Sequence, residues 1–186
     1  MPPHTIAQQW RSKFGNTLPA GFLCRRVISD RWLRVHSLPL SKRYAETDAE
    51  RLELLRRQNA VATFALGEGT DCLLFITRFG EDTGWSSLEE VPLGGEKPEH
   101  VFSAQEDGDE LQFFALPVIW RENSLNELIV AVADGRTGPV LFTNIQRRQI
   151  YAPYDGGADL FFASPDAAIS AHGRFGEWLS SREDGL

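Results

Sequence analysis

The sequence predicts an α+β fold: a single domain with a mainly antiparallel sheet that helices cover on one face. Two observations lead to this prediction. Strand-like segments follow one another along the chain without regular alternation with helices, which disfavours a doubly wound parallel sheet. A long segment with helical periodicity, residues 48–66, lies among them.

The helix predicted over residues 48–66 has the clearest start. Thr47 is followed three residues later by Glu50, which is a capping box: the threonine oxygen accepts a backbone N–H and the glutamate reaches back to the cap. Glu53 and Arg57 are four residues apart, the spacing of an ion pair on one helix face. These features predict a helix that begins at Asp48.

Three shorter helices are predicted from apolar spacing and start sequences. The first covers residues 5–15, where apolar side chains recur every four residues, and it can lie at the periphery of the domain. Ser124 with Glu127 is a second capping box before an apolar segment. Ser164, followed by proline, begins a final helix that is predicted to run to Leu179.

The strands are predicted from alternating or continuously apolar runs. Residues 31–36 alternate, which is typical of a half-buried strand. The other strands are predicted at 72–79, 101–104, 111–120, 139–144, 147–152 and 158–163. A stretch rich in Gly and Glu, residues 90–99, is predicted to be a loop too short to separate two domains, so residues 1–186 are treated as one domain.

Composition predicts a soluble protein. The 186 residues are 42% hydrophobic and 24% charged, which is ordinary for a domain with a buried core. No segment resembles a signal peptide, and no apolar run approaches the roughly 18 residues of a membrane span. Cys24 and Cys72 lie far apart in apolar settings, as reduced buried thiols do. We therefore expect a cytoplasmic protein without a membrane partner, and the oligomeric state stays open.

Charge is distributed unevenly along the chain. Residues 1–60 have a net charge of +6 and residues 61–186 a net charge of −13, which gives −7 overall. A basic N-terminal third could suggest nucleic-acid binding, but an acidic protein is repelled by a polyanion at long range. We expect the basic residues to be neutralised within the fold or to lie on solvated faces; a site for an anion or an acidic partner is the next alternative, and we expect no nucleic-acid partner.

The segment QIYAPYDGGADLFFA, residues 149–163, contains the first candidate site. Asp-Gly between two strand-like runs predicts a hairpin with a primed turn, in which glycine supplies the positive φ. Beyond this structural interpretation, Tyr151, Tyr154 and Asp155 could contact a partner. Asp155 and Asp159 could instead act as an acid/base pair or bind a cation, although two carboxylates are fewer than a calcium loop needs.

The second candidate site is basic. Arg34 and His36 share one face of the predicted strand, and Lys42 and Arg43 follow in a loop. Together they could hold a phosphate or carboxylate through charge-assisted hydrogen bonds. An ion-pair surface that neutralises acidic residues of the same chain is the simpler interpretation.

The usual catalytic and cofactor motifs are absent from the sequence. The four histidines lie far apart, without HExxH or CxxC spacing, so no metal site is expected. No GxSxG, GxxxxGK or GxGxxG occurs, and no cofactor is expected.

The run IYAPYDGGADLFF, the later WLS and the terminal Gly-Leu resemble the C-terminal signature of a bacterial family of uncharacterised proteins, the domain of unknown function numbered 3885. The earlier stretch WLRVHSLPLSKRYAETDAE with LLRRQN is similar to the N-terminal block of that family. The resemblance covers most of the chain in two blocks and implies membership without implying a reaction.

Two hypotheses about function follow. The leading one is a non-enzymatic, protein-binding or regulatory module of the immunity type, because the chain is small, acidic and without catalytic motifs. The alternative is an enzyme or small-ligand binder that holds an anionic substrate on the basic strand and uses Asp155 or Asp159 as acid/base. The alternative requires a pocket that joins Arg34, His36 and the hairpin.

Overall fold

The computed structural model describes residues 5–80, 91–93 and 95–180; parts of the predicted loop at 90–99 and of the C-terminal tail lie outside this range. The helices are α1 (Ile6–Phe14), α2 (Gly21–Val27), α3 (Asp48–Leu66), α4 (Asn126–Ala133) and α5 (Pro165–Phe175). The strands are β1 (Trp32–His36), β2 (Thr70–Phe79), β3 (Glu99–Glu106), β4 (Asp109–Trp120), β5 (Val140–Asn144), β6 (Gln149–Tyr154) and β7 (Gly157–Phe161).

The seven strands form one sheet in the order β1-β7-β6-β5-β2-β4-β3, and each neighbouring pair is antiparallel. The predicted α+β class with an antiparallel sheet is confirmed. Successive strands are joined by hairpins at β3–β4, β5–β6 and β6–β7. The first strand, β1, pairs with the last strand, β7, at one edge of the sheet.

Helices cover both faces of the sheet, and the prediction of one covered face is wrong. In β2, Leu73 and Phe75 pack in the cluster that contains α1 and α2, whereas Leu74 and Ile76 pack in the cluster that contains α3, α4 and α5. Side chains alternate between the two faces of a strand, so a strand covered on both faces is continuously apolar. Burial on both faces therefore explains why every residue from Cys72 to Ile76 is apolar.

The first face is covered by α1 and α2. Trp10 of α1 is completely buried, its ring lies edge-on to Phe75 at 4.9 Å, and its Nε1 donates a hydrogen bond to the Thr17 carbonyl at 2.6 Å. The N-terminal helix therefore packs on the sheet and is not peripheral. Helix α2 was not predicted, because it is short and no side chain caps its start. Burial of Leu23 and Cys24 against the sheet stabilises it.

The start of α3 agrees with the prediction and the start of α4 does not. Thr47 and Glu50 form the capping box, and Arg57 Nε lies 2.6 Å from Glu53. At α4, the Ser124 hydroxyl instead donates to the Arg121 carbonyl at 2.7 Å, inside the preceding turn, and the helix begins two residues later without a side-chain cap.

The primed turn of the sheet is at β3–β4. Asp107 and Gly108 both have positive φ, 52° and 95°, and connect these two strands. The β6–β7 hairpin predicted at Asp155-Gly156 is present, but neither residue has a positive φ, so the predicted turn type is wrong. The glycine that this hairpin requires is Gly157, where a Cβ atom would lie 1.9 Å from the Val35 carbonyl oxygen of β1.

Candidate functional site

Asp159 lies in β7 directly opposite Arg34 of β1 and is 4% exposed. Arg34 donates from Nε to Oδ1 at 2.8 Å and from Nη2 to Oδ2 at 3.0 Å, and Trp32 Nε1 donates to Oδ1 at 2.9 Å. Both carboxylate oxygens are therefore occupied by donors of the neighbouring strand. Such a bidentate, desolvated pair fixes one geometry. It holds β1 to β7 and leaves no free carboxylate for acid/base chemistry.

Aromatic rings surround the Arg34 guanidinium. Its Cζ lies 4.6 Å from the centre of the Tyr154 ring and 5.5 Å from that of Trp32, within the range of a cation–π contact. Burial, with smaller contributions from Asp159 and Asp155, outweighs the opposing charge of Arg34 and raises the pKa of Tyr154 to about 12. The phenol is therefore neutral at physiological pH.

The hairpin turn is bonded to the loop after β1. Asp155 Oδ2 accepts hydrogen bonds from Arg43 Nε at 2.8 Å and from the Tyr44 hydroxyl at 3.2 Å, and Arg43 Nη2 lies 2.5 Å from the same oxygen. The Gly156 carbonyl accepts from the Ser37 backbone N–H at 3.0 Å. These bonds join the hairpin and the loop into one surface.

Tyr151 lies on the other face of the sheet from Tyr154 and is completely buried. Its hydroxyl donates to Gln58 Oε1 at 2.7 Å, and Gln58 Nε2 in turn donates to Ser37 Oγ and to the Gly157 carbonyl. Burial holds the pKa of Tyr151 well above its usual value. Tyr151 is therefore a core residue, and the predicted contact with a partner cannot include it.

Lys42 lies apart from the Arg34–Asp159 pair, whereas His36 follows Arg34 on the same face of β1, as predicted. Lys42 Nζ is bonded to Glu46 at 2.9 Å and to Glu50 at 2.7 Å, so its charge is neutralised by α3 and the loop before it. His36 lines a cavity of about 210 Å³ with Leu40, Arg57 and Trp178. Burial and the charges of Arg34 and Arg57 lower the pKa of His36 below 6.5.

The loop after β1 contains a feature that the sequence analysis missed. Leu40 is 101% exposed and has left-handed backbone angles, φ 56° and ψ 28°, and Ser41 follows with φ 56°. Tyr44, in the same loop, is 50% exposed. The only indication in the sequence is Leu40 itself, a lone leucine between proline and polar residues. We call Leu40, Arg43, Tyr44 and Asp155 the loop–hairpin surface.

The structure thus separates the predicted site residues into distinct places. Arg34, Tyr154 and Asp159 form a partly buried cluster on the α1 and α2 face, in which Asp159 is the buried member. Arg43 and Asp155 pair on the loop–hairpin surface. Tyr151 lies in the core, and Lys42 is bonded to Glu50 in the first turn of α3. His36 lies two residues after Arg34 on the same face of β1 and borders the cavity beside Trp178.

Within the described ranges, no group of three or more His, Cys, Asp or Glu side chains is placed to hold a metal ion. A search of the same ranges finds no helix long and apolar enough to cross a membrane. These ranges also show Cys24 and Cys72 as free, buried thiols.

The chain folds into a small α+β domain whose antiparallel sheet is covered by helices on both faces. The chain belongs to the family described as Domain of unknown function (DUF3885), whose model matches residues 20–183 and so includes all seven strands. No curated protein and no solved structure matches the chain.

Proposed function

We propose that this chain is a non-catalytic, cytoplasmic protein-binding module of the regulatory or immunity type in bacteria, and that the loop–hairpin surface contacts the partner. The observation that supports the proposal most directly is Leu40, an apolar side chain held fully in water on a strained loop.

The conformation of this loop is unfavourable for the isolated fold. A non-glycine residue in the left-handed region costs roughly 1–2 kcal/mol, and Leu40 and Ser41 both adopt it. An exposed leucine also contributes no burial energy to folding. Glycine or asparagine at position 40 would relieve the strain at that residue, so the leucine is better explained by a role outside the folding of this domain.

The loop is also held in place from both sides. Leu38 is buried before it, the Lys42 backbone N–H donates to the Pro39 carbonyl at 3.2 Å, and Arg43 is bonded to Asp155 after it. A surface that is ordered before binding loses less conformational entropy when it binds. Tyr44, four positions after Leu40 in the same loop and half exposed, adds the kind of aromatic anchor that is enriched at protein interfaces.

Charge favours a basic partner. The chain has a net charge of −7, and its excess of acidic residues lies after residue 60. Long-range attraction between this negative charge and a basic protein accelerates their encounter, whereas the apolar contact at Leu40 would slow dissociation of the complex.

The alternative of an enzyme or anion binder has less support from the geometry. The carboxylate of Asp159 accepts hydrogen bonds from Arg34 and Trp32, and that of Asp155 is paired with Arg43. His36 lines the cavity beside Trp178, whereas Tyr154 and Asp155 line a different cavity of about 220 Å³ beside residues 132–139. The pocket that the alternative requires, joining Arg34, His36 and the hairpin, does not occur among the described cavities.

The test uses the full chain in its native host. A photo-crosslinking amino acid replaces Leu40 in one variant and Leu52, 70% exposed on α3, in a matched control. We expect one protein to be crosslinked through position 40 and not through position 52. Absence of any position-specific adduct would contradict the proposal of a protein-binding module.

The crosslinked protein is then purified, and its affinity is measured for the unmodified chain and two variants. Burying a leucine is worth about 2 kcal/mol, so Leu40→Gly should weaken binding about 30-fold. The same change should not lower the free energy of unfolding, because it relieves backbone strain. Leu52→Ala should leave affinity unchanged. Equal affinities of the Leu40→Gly variant and the unmodified chain would place the contact elsewhere.

A further inference from the structure

A cavity of about 360 Å³ opens at the end of the sheet where β2 begins and β4 ends. Two cross-strand pairs form its floor, Asp71 with Ile119 and Leu73 with Pro117. Residues two apart in a strand share a face, so these four residues line the face that α1 covers. The cavity lies at the opposite end of the strands from the β6–β7 hairpin and is separate from the loop–hairpin surface.

The walls of the cavity come from two other elements. Helix α1 contributes Ile6 and Gln9, and the turn after β5 contributes Ile145 and Gln146. The lining is therefore mostly aliphatic, with two amides and one carboxylate. Among the described residues that line it, Asp71 supplies the single charged side chain.

This combination matches the general properties of a small-molecule site. Such sites have volumes of roughly 300–1,000 Å³, apolar walls and a few polar groups that orient the ligand. The carboxylate of Asp71 determines which ligand charge the cavity favours. Asp71 is an exposed residue at the rim of the cavity. An anion would be repelled by this carboxylate and by the net negative charge of the chain, a neutral molecule would gain no attraction from either, and a cation would be attracted by both.

We propose that this cavity binds a small organic cation, with an aliphatic body against Leu73, Ile119 and Ile145 and an ammonium group bonded to Asp71. An ammonium has three N–H donors. One is directed to the carboxylate, and the amide oxygen of Gln146 is an acceptor for another. The site is independent of the proposed protein-binding function, since it uses none of the residues of the loop–hairpin surface.

The proposal is tested with three probes of equal chain length: n-hexylamine, 1-hexanol and hexanoate. Binding to the full chain is followed by calorimetry and by NMR shifts of the side-chain amides of Gln9 and Gln146. We expect saturable binding of hexylamine, at least ten-fold tighter than that of either other probe. Absence of saturable binding, or equal affinity for all three probes, would overturn the proposal.

Two variants separate the cavity from a general effect of charge. Asp71→Asn should abolish the preference for hexylamine, whereas Asp109→Asn, a change of the same kind at the β3–β4 turn, should preserve it. Ile119→Trp should fill the cavity and reduce the affinity for hexylamine at least ten-fold, and because Ile119 is half exposed the fold should tolerate it. A preference for the cation that persists in Asp71→Asn would refute the role of this carboxylate.

Discussion

Replacing Asp159 by Asn should destabilise the fold strongly, even though the two side chains have the same shape. The change leaves the Arg34 guanidinium without its counter-ion, at a position where only 16% of the arginine side chain is exposed. Removing one partner of a buried ion pair costs about 3–5 kcal/mol. Because Arg34 keeps its contact with the Tyr154 ring and some access to water, we expect the lower end of this range, about 3 kcal/mol.

The measurement is equilibrium unfolding in urea, followed by circular dichroism and by tryptophan fluorescence, to which Trp32 beside Asp159 contributes. Asp155→Asn is the matched control: its partner Arg43 is 64% exposed, so solvent screens that ion pair and the change should have a much smaller effect on stability. The double variant Arg34→Met with Asp159→Asn should cost less than the sum of the single changes. Equal costs at Asp159 and Asp155, or additive effects of the two single changes, would refute a coupled buried pair.

Three further predictions follow from the same region. Gly157→Ala should lower the free energy of unfolding by about 3 kcal/mol or more, because the new methyl group would lie 1.9 Å from the Val35 backbone oxygen. Gly156→Ala should cost less, because its methyl group would meet side chains alone, the Tyr154 ring edge at 3.0 Å and Arg43 Cγ at 3.7 Å. Similar unfolding midpoints of the two variants would contradict this. The pKa of His36 is lowered from 6.5 in the folded protein, so His36 binds a proton in the unfolded chain first as pH decreases. The free energy of unfolding should therefore fall as pH decreases below about 6.5. In His36→Gln the urea midpoints measured across this range should decrease less steeply, and an unchanged slope would exclude His36 as the cause. Tyr154 should ionise near pH 12 and not near its ordinary 10, so Tyr154→Phe should remove a high-pH step from the ultraviolet titration and leave any step near pH 10 intact.

The fold class was predictable because its indications are local. The capping box of Thr47 and Glu50, the apolar run of β2 and the hairpin before β7 each depend on a few neighbouring residues. The coverage of both faces was not predicted, although the continuous apolar run of β2 is the pattern of a strand buried on both sides. Helix α2 has no side-chain cap and depends on packing, so a local pattern could not indicate it.

The candidate site was harder to predict because partners distant in sequence determine it. Asp159 and Arg34 were both identified as candidates, but only the pairing of β1 with β7 shows that each neutralises the other. Tyr151 and Tyr154 are three residues apart in one strand and therefore lie on opposite faces, which restricts the predicted contact to one of them. Leu40 lies in a loop that is tied to the distant hairpin through Arg43 and Asp155, a contact that no local motif encodes.

The pairing of β1 with β7 also determines when this domain can become complete during synthesis. Arg34 and Asp159 are 125 positions apart, so a growing chain exposes the residues of β1 long before their partners leave the ribosome. Contacts of such high sequence separation form late, because closing a long loop costs entropy before the contact is gained. The bond between Arg43 and Asp155 spans 112 positions and depends on the same event. A partner that recognises the loop–hairpin surface would therefore bind only chains whose sheet has closed.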